Sequence, residues 1–149
     1  MKMKMNWRVS SAFGVSLFLL GILACNISLG NETEKANKLV DEANTAIQDG
    51  KKFLADAEEK KARMLQTNVS QLAEARTTAN EAIRAYDQAE DKCKEAASKC
   101  EEASKLKIGD KFKDYLTLKV KEYNKRAELV ETLKATPQAL IDSQVEPVS

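Results

Sequence analysis

The chain of 149 residues contains no histidine. That removes the commonest general base, the Ser-His and Cys-His nucleophile pairs and the commonest metal ligand. Aromatic residues make up 5% and prolines number two, too few for a turn-dense sheet protein. Glycine-rich phosphate loops are absent too. Charge of one sign is also missing, since 24 basic residues face 23 acidic ones for a net +1, and the two signs alternate along the chain. Such alternation makes a solvated, salt-bridge-laced surface and argues against a nucleic-acid partner. No carboxylate stands alone in an apolar run that would raise its pKa. The expectation is a protein that is not an enzyme and that needs no metal or cofactor.

Alanine, glutamate and lysine dominate instead, and they fall at helical spacing. From Leu72 the apolar and small residues are Ala75, Ala79, Ala82, Tyr86, Ala89, Cys93, Ala96, Cys100 and Ala103, at intervals of 3 and 4 without a fault. A seam sustained over four heptads is the mark of coiled-coil or long-bundle packing. Because most of the seam is alanine, a partner helix can approach closely while each residue buries little area. Stability must then come from length and from larger side chains opposite.

The first 24 residues read as a signal peptide, with a basic start (Lys2, Lys4, Arg8) and an apolar run from Ala12 to Ala24. The run is about 13 residues, short of the roughly 20 that cross a bilayer, so cleavage is favoured over a permanent anchor. Without those three cations the remainder carries about −2. The run ends in Ile22-Leu23-Ala24-Cys25, a small residue directly before one of only three cysteines. This segment resembles a bacterial lipobox. The resemblance implies that Cys25 becomes the first mature residue and carries a thioether-linked diacylglycerol, usually with a further acyl chain on its amine. It implies a protein anchored to a membrane of the cell envelope, the outer membrane if the cell is Gram-negative, because Asn26 is not aspartate. Several chains, at about 0.8 kcal/mol per buried methylene, hold a protein firmly.

A second reading rests on three Asn-X-Ser/Thr sites at Asn26, Asn31 and Asn68. About one is expected by chance, and these could be glycan acceptors of a eukaryotic secreted or surface protein that binds a protein partner, with sugars clustered at Asn31 and Asn68. Cleavage would then fall after Gly30, and Cys25 would be lost.

Residues 25–32 lack periodicity and suggest a flexible tether. A first helix is expected over 33–65, with Ala36, Val40, Ala43, Ile47, Gly50, Leu54, Ala57 and Met64 in one stripe. Gly50 costs roughly 1 kcal/mol in a helix and could end it, but the apolar phase continues across it. The hairpin turn falls at 66–70, with Ser70 as N-cap of a second helix over 71–107. Gly109 suits a helix C-terminus and Asp110 the next N-cap, opening a third helix over 111–135. Its apolar residues, including Phe112, Tyr115, Leu116, Leu118, Tyr123, Leu129 and Val130, cover an arc of roughly 200°, wide enough to touch both hairpin helices. Thr136-Pro137 could start a final turn, and 143–149 read as a disordered tail. The fold expected over 33–142 is all-α, a long antiparallel helical hairpin with a third packed helix, forming an elongated three-helix bundle.

Cys93 and Cys100 lie seven residues apart on one helix, about 10.5 Å, too far to bridge each other. They read as buried thiols, with an inter-chain disulfide or a redox-sensing thiol as alternatives. If the alanine seam paired with another copy, the chain would instead be a coiled-coil homo-oligomer.

Overall fold

The structure, a computed structural model, describes residues 30–143. Four α-helices and one 3-10 turn account for nearly all of them, and among the described residues there is no strand. The fold is an all-α three-helix bundle. Helix α1 spans Gly30–Gln66, α2 Leu72–Ser104, α3 Asp110–Leu133 and the short α4 Ala135–Asp142. At 1.5 Å per residue, α1 is a rod of about 55 Å.

The antiparallel hairpin of α1 and α2 is held in register by cross-helix bonds along its length. Lys99 Nζ lies 2.7 Å from Glu42 Oε2, and the Tyr86 hydroxyl donates to Glu58 Oε1 at 2.5 Å. Between them Gly50 is buried mid-helix, and α1 runs through it unbroken. A Cβ there would lie 3.2 Å from Lys92 Cβ and 3.4 Å from the Ala89 carbonyl oxygen, so the close approach of α2 requires the missing side chain. Of the stripe expected on α1, Ala36, Ala43, Ile47, Gly50, Ala57 and Met64 are buried, with Ala46 beside them, and Val40 and Leu54 are half-buried.

Helix α2 is the centre of the molecule. Its alanine seam is buried from Ala75 to Ala103, with α1 on one side and α3 and α4 on the other. The backbones of α1 and α3 remain largely apart, although side chains of both share one core. Small residues let both neighbours approach α2, whereas Leu39 and Val40 on α1 and Phe112 and Val120 on α3 fill the space between the outer helices. The wide face expected of α3 is therefore narrower. Leu116, Tyr123, Ala127 and Val130 are buried, but Tyr115, Leu118 and Leu129 are exposed, because α3 lies on one helix rather than in the groove of two.

Several boundaries differ from the sequence reading. Residues 30–32 are the first turn of α1 rather than tether. Ser70 does not cap α2; it sits inside the 3-10 turn Val69–Gln71, closed by the Gln71 N–H on the Asn68 carbonyl at 2.8 Å. Helix α2 stops at Ser104, and Ile108 tucks into the core with its N–H bonded to the Leu106 carbonyl. Gly109 is the N-cap of α3, with an extended backbone at φ −63° and ψ 146°, and Asp110 takes the first helical position. An acid there still favours the helix through the dipole. The break between α3 and α4 falls at Lys134, because Pro137 has no N–H to give to the Leu133 carbonyl. Pro137 is itself fully buried and α4 rests on α2. Ser143, expected in the tail, is held by its N–H on the Ala139 carbonyl at 3.1 Å and by the Arg76 guanidinium on its own carbonyl.

All described core side chains lie between Ala36 and Pro137. Residues 30–143 thus hold every described element, both cores and the cross-helix bonds named above.

Candidate functional site

Cys25 and Asn26 lie outside the described residues. Of the remaining candidates, Asn31 is exposed in the first turn of α1 and Asn68 is exposed at the hairpin tip. The length of α1 separates them, so they occupy opposite ends of the rod and do not cluster. The rigid helix between them excludes the grouping of sugars that the sequence reading allowed.

Cys93 and Cys100 are both free and both buried, in the core that α2 shares with α1 and α3. Burial pushes each thiol up, only partly offset by Arg126 near Cys93 and Lys119 near Cys100. A thiol kept protonated inside a core is a poor nucleophile and has no route to a second chain while the bundle is closed. The alanine seam is likewise consumed within the chain, which leaves none of it to pair with another copy.

Two polar clusters escaped the sequence reading. Lys134, between α3 and α4, lies 2.8 Å from Asp87 Oδ1 and 2.9 Å from Glu90 Oε2 on α2 and is also paired with Glu131. Burial alone would lower the lysine, but hydrogen bonds to Asp87, Glu131 and Glu90 outweigh it and hold the ammonium charged. Lys94 and Lys134 in turn hold the Glu90 carboxyl down at about 2. The second cluster reverses the signs: Glu122 receives Lys119 Nζ at 2.8 Å and an Arg126 guanidinium nitrogen at 2.6 Å. Lys119 also lies 5.6 Å from the centre of the Tyr123 ring and 5.8 Å from that of Tyr115. Lys119 and Arg126 are thereby both turned onto one carboxylate. The Glu131–Lys134 and Glu122–Arg126 spacings could have flagged these pairs, but the reach from Lys134 to α2 depends on register and leaves no local signal.

The hairpin carries a shallow groove of about 440 Å³ between Asp41, Glu42 and Thr45 on α1 and Lys92, Glu95 and Lys99 on α2. Its charges are already paired, Lys99 with Glu42 across the groove and Lys92 with Glu95 along α2 at 2.6 Å. No group of three or more metal-ligating side chains occurs among the described residues. No helix among them is long and apolar enough to cross a membrane. Protein-family models, curated proteins and solved structures all return no match to this chain.

Near the start of α1, Glu32 is held below its usual range by Lys35 at 3.1 Å, and the Lys107 N–H also bonds to it. The N-terminus of α1 and the turn between α2 and α3 therefore share one end of the rod. The hairpin tip and Ser143 share the other.

Proposed function

We propose that the protein is a non-catalytic envelope lipoprotein, anchored through acyl chains on Cys25, whose helical rod acts as a spacer or adaptor. The observation that carries this reading is the distance between the lipobox-like cysteine and the rod. Helix α1 begins at Gly30, five residues after Cys25, so a lipid on that cysteine would hold the 30–35 and 105–111 end against the membrane. The hairpin tip would then stand about 55 Å away. Lys105, Lys107, Lys111 and Lys113 lie around the membrane-facing turn, where they favour an anionic headgroup layer by about 1 kcal/mol each when near it. The partner on the far side would be a protein of the envelope.

Intact-mass and N-terminal peptide mass spectrometry on the protein from its native membranes tests the reading. An acylated peptide beginning at Cys25 is expected. An unmodified start near Asn31, with glycans on Asn68, would replace it with the secreted glycoprotein.

A further inference from the structure

Helix α4 is joined to the bundle differently from the other three. The backbone ladder breaks at Lys134, Pro137 cannot restore it, and α4 then rests on α2 while hardly touching α3. Its two ends are held by cations. At the start, Lys134 reaches Asp87 and Glu90 on α2 and Glu131 on α3, which fixes that point against both helices. At the end, the Arg76 guanidinium on α2 donates to the Ser143 carbonyl, where a cation also complements the helix dipole. The 76–87 stretch of α2 is about 16 Å long and the 134–143 segment about 14 Å, so α4 lies along α2 and antiparallel to it.

Between those ends the apolar contact is thin. Pro137 is fully buried, but Leu140 and Ile141 are only half-buried and Ala135, Thr136, Gln138 and Ala139 are exposed. Toward the tip, Met64, Ala75 and Ala79 are buried yet belong to neither of the two cores. A helix of eight residues is marginal on its own in water, so α4 is ordered by its docking. Large apolar side chains hold α3, whereas α4 depends on one proline, two half-buried side chains and the bonds at its ends. We propose that α4 is a strap that lifts from α2 as a unit, turning at the pinned Lys134 and released at Arg76, while α1, α2 and α3 stay packed.

Lifting changes what the rod offers at its tip. At 100° per residue, Ala79 and Ile83 share the face of α2 marked by Arg76 and Asp87, within an arc of about 80°, which places them under α4. Closed, the strap leaves Ala79 fully buried and Ile83 half-buried. Open, it yields that face to a second helix, which the alanine lets come close. Its use as a gate for an envelope partner rests on the spacer reading above, but the opening itself does not. The two fail separately, since the lipid is read at Cys25 and the strap at residues 138–143.

Amide hydrogen exchange of the full chain, resolved by residue with NMR, tests the strap. The amides of 138–143 are expected to exchange with one shared opening constant, about a hundredfold or more faster than those of 93–103. Arg76→Gln should speed exchange at 138–143 by about tenfold or more and leave 93–103 unchanged. Lys134→Gln should extend the fast unit into 130–133, because the turning point is no longer pinned. Thiol labelling gives an independent reading. In Ala79→Cys the new thiol should label at the rate set by α4 opening, while the buried Cys93 and Cys100 wait for global unfolding. A gradient of exchange running inward from Ser143 would mean simple end fraying and overturn the proposal. So would equal exchange at 138–143 and 93–103, an Arg76→Gln effect that is absent or spread over all helices, or an Ala79→Cys thiol that labels no faster than Cys93.

Discussion

The two cores of the rod solve the same packing problem in opposite ways. Toward the end shared by Gly30 and the 105–109 turn, α2 contributes only small residues, Cys93, Ala96, Cys100 and Ala103, and the large side chains come from α3 as Leu116 and Tyr123. Toward the hairpin tip the roles reverse, with α2 contributing Tyr86 and its neighbours answering with Ala57 and Val130. The polar support differs in step. In the first core Glu122 gathers cations from its own helix, so the ion pairs tie α3 only to itself. In the second, the Tyr86 hydroxyl reaches Glu58 on α1 and Lys134 reaches Asp87 and Glu90 on α2, so polar bonds tie helices together. At the first core Lys99 still joins Glu42 across the hairpin, but α3 docks there through apolar contact. Where the core is smaller, directional bonds between helices carry more of the stability.

The comparison can be broken most directly at Tyr123. Tyr123→Asp places a carboxylate among Cys100, Leu116 and the alanines of α2, and a loss of about 3–5 kcal/mol is expected, read as a large fall in the thermal midpoint. An unchanged midpoint would show that α3 is not the anchor of the first core. Tyr86→Ala should cost a similar amount, about 3–5 kcal/mol, by removing the largest buried side chain of the second. Tyr86→Phe separates ring from hydroxyl. About 1–2 kcal/mol is expected from the lost bond to Glu58, and no loss at all would mean that burial alone holds this core.

Between the cores, Gly50→Leu should cost about 1–3 kcal/mol by forcing α1 away from Lys92 and Ala89, measured by denaturant unfolding. The smallest effect concerns pH. Glu90 titrates near 2 when folded and in the ordinary carboxylate range when unfolded, so its contribution is present above about pH 4.5 and fades as the pH falls toward 2. After solvent screening that contribution is about 1–2 kcal/mol. Glu90→Gln should therefore be less stable than the parent at pH 7, and the difference should shrink steadily as the pH falls through about 2. A difference that stayed constant across this range would assign the loss to packing rather than charge.

Most of the fold was legible because the seam on α2 is uninterrupted and α1 keeps phase across Gly50. Helix ends were less so. Ser70, Gly109, Asp110 and Thr136 all have capping chemistry, yet the observed ends depend on where Ile108 and Pro137 find a buried place on α2. The misjudged arc of α3 has the same origin. Periodicity reports which residues are apolar, but whether Leu118 meets protein or water depends on where α1 stands, and no local pattern encodes that. The cross-helix clusters at Lys134 and Tyr86 follow from register, which becomes defined only once the hairpin has closed.

The placement of Gly30 at one end of the rod and Ser143 at the other has a mechanical consequence. A pull between those two points drives α1 one way and α3–α4 the other, past a central α2 that both must slide over. Every contact along both interfaces is then loaded at once, in shear, rather than one after another as in a zipper opened from its end. The same bundle pulled between Gly30 and the 105–109 turn would peel. A rod built in this order resists tension along its length and gives way readily to force applied across its base.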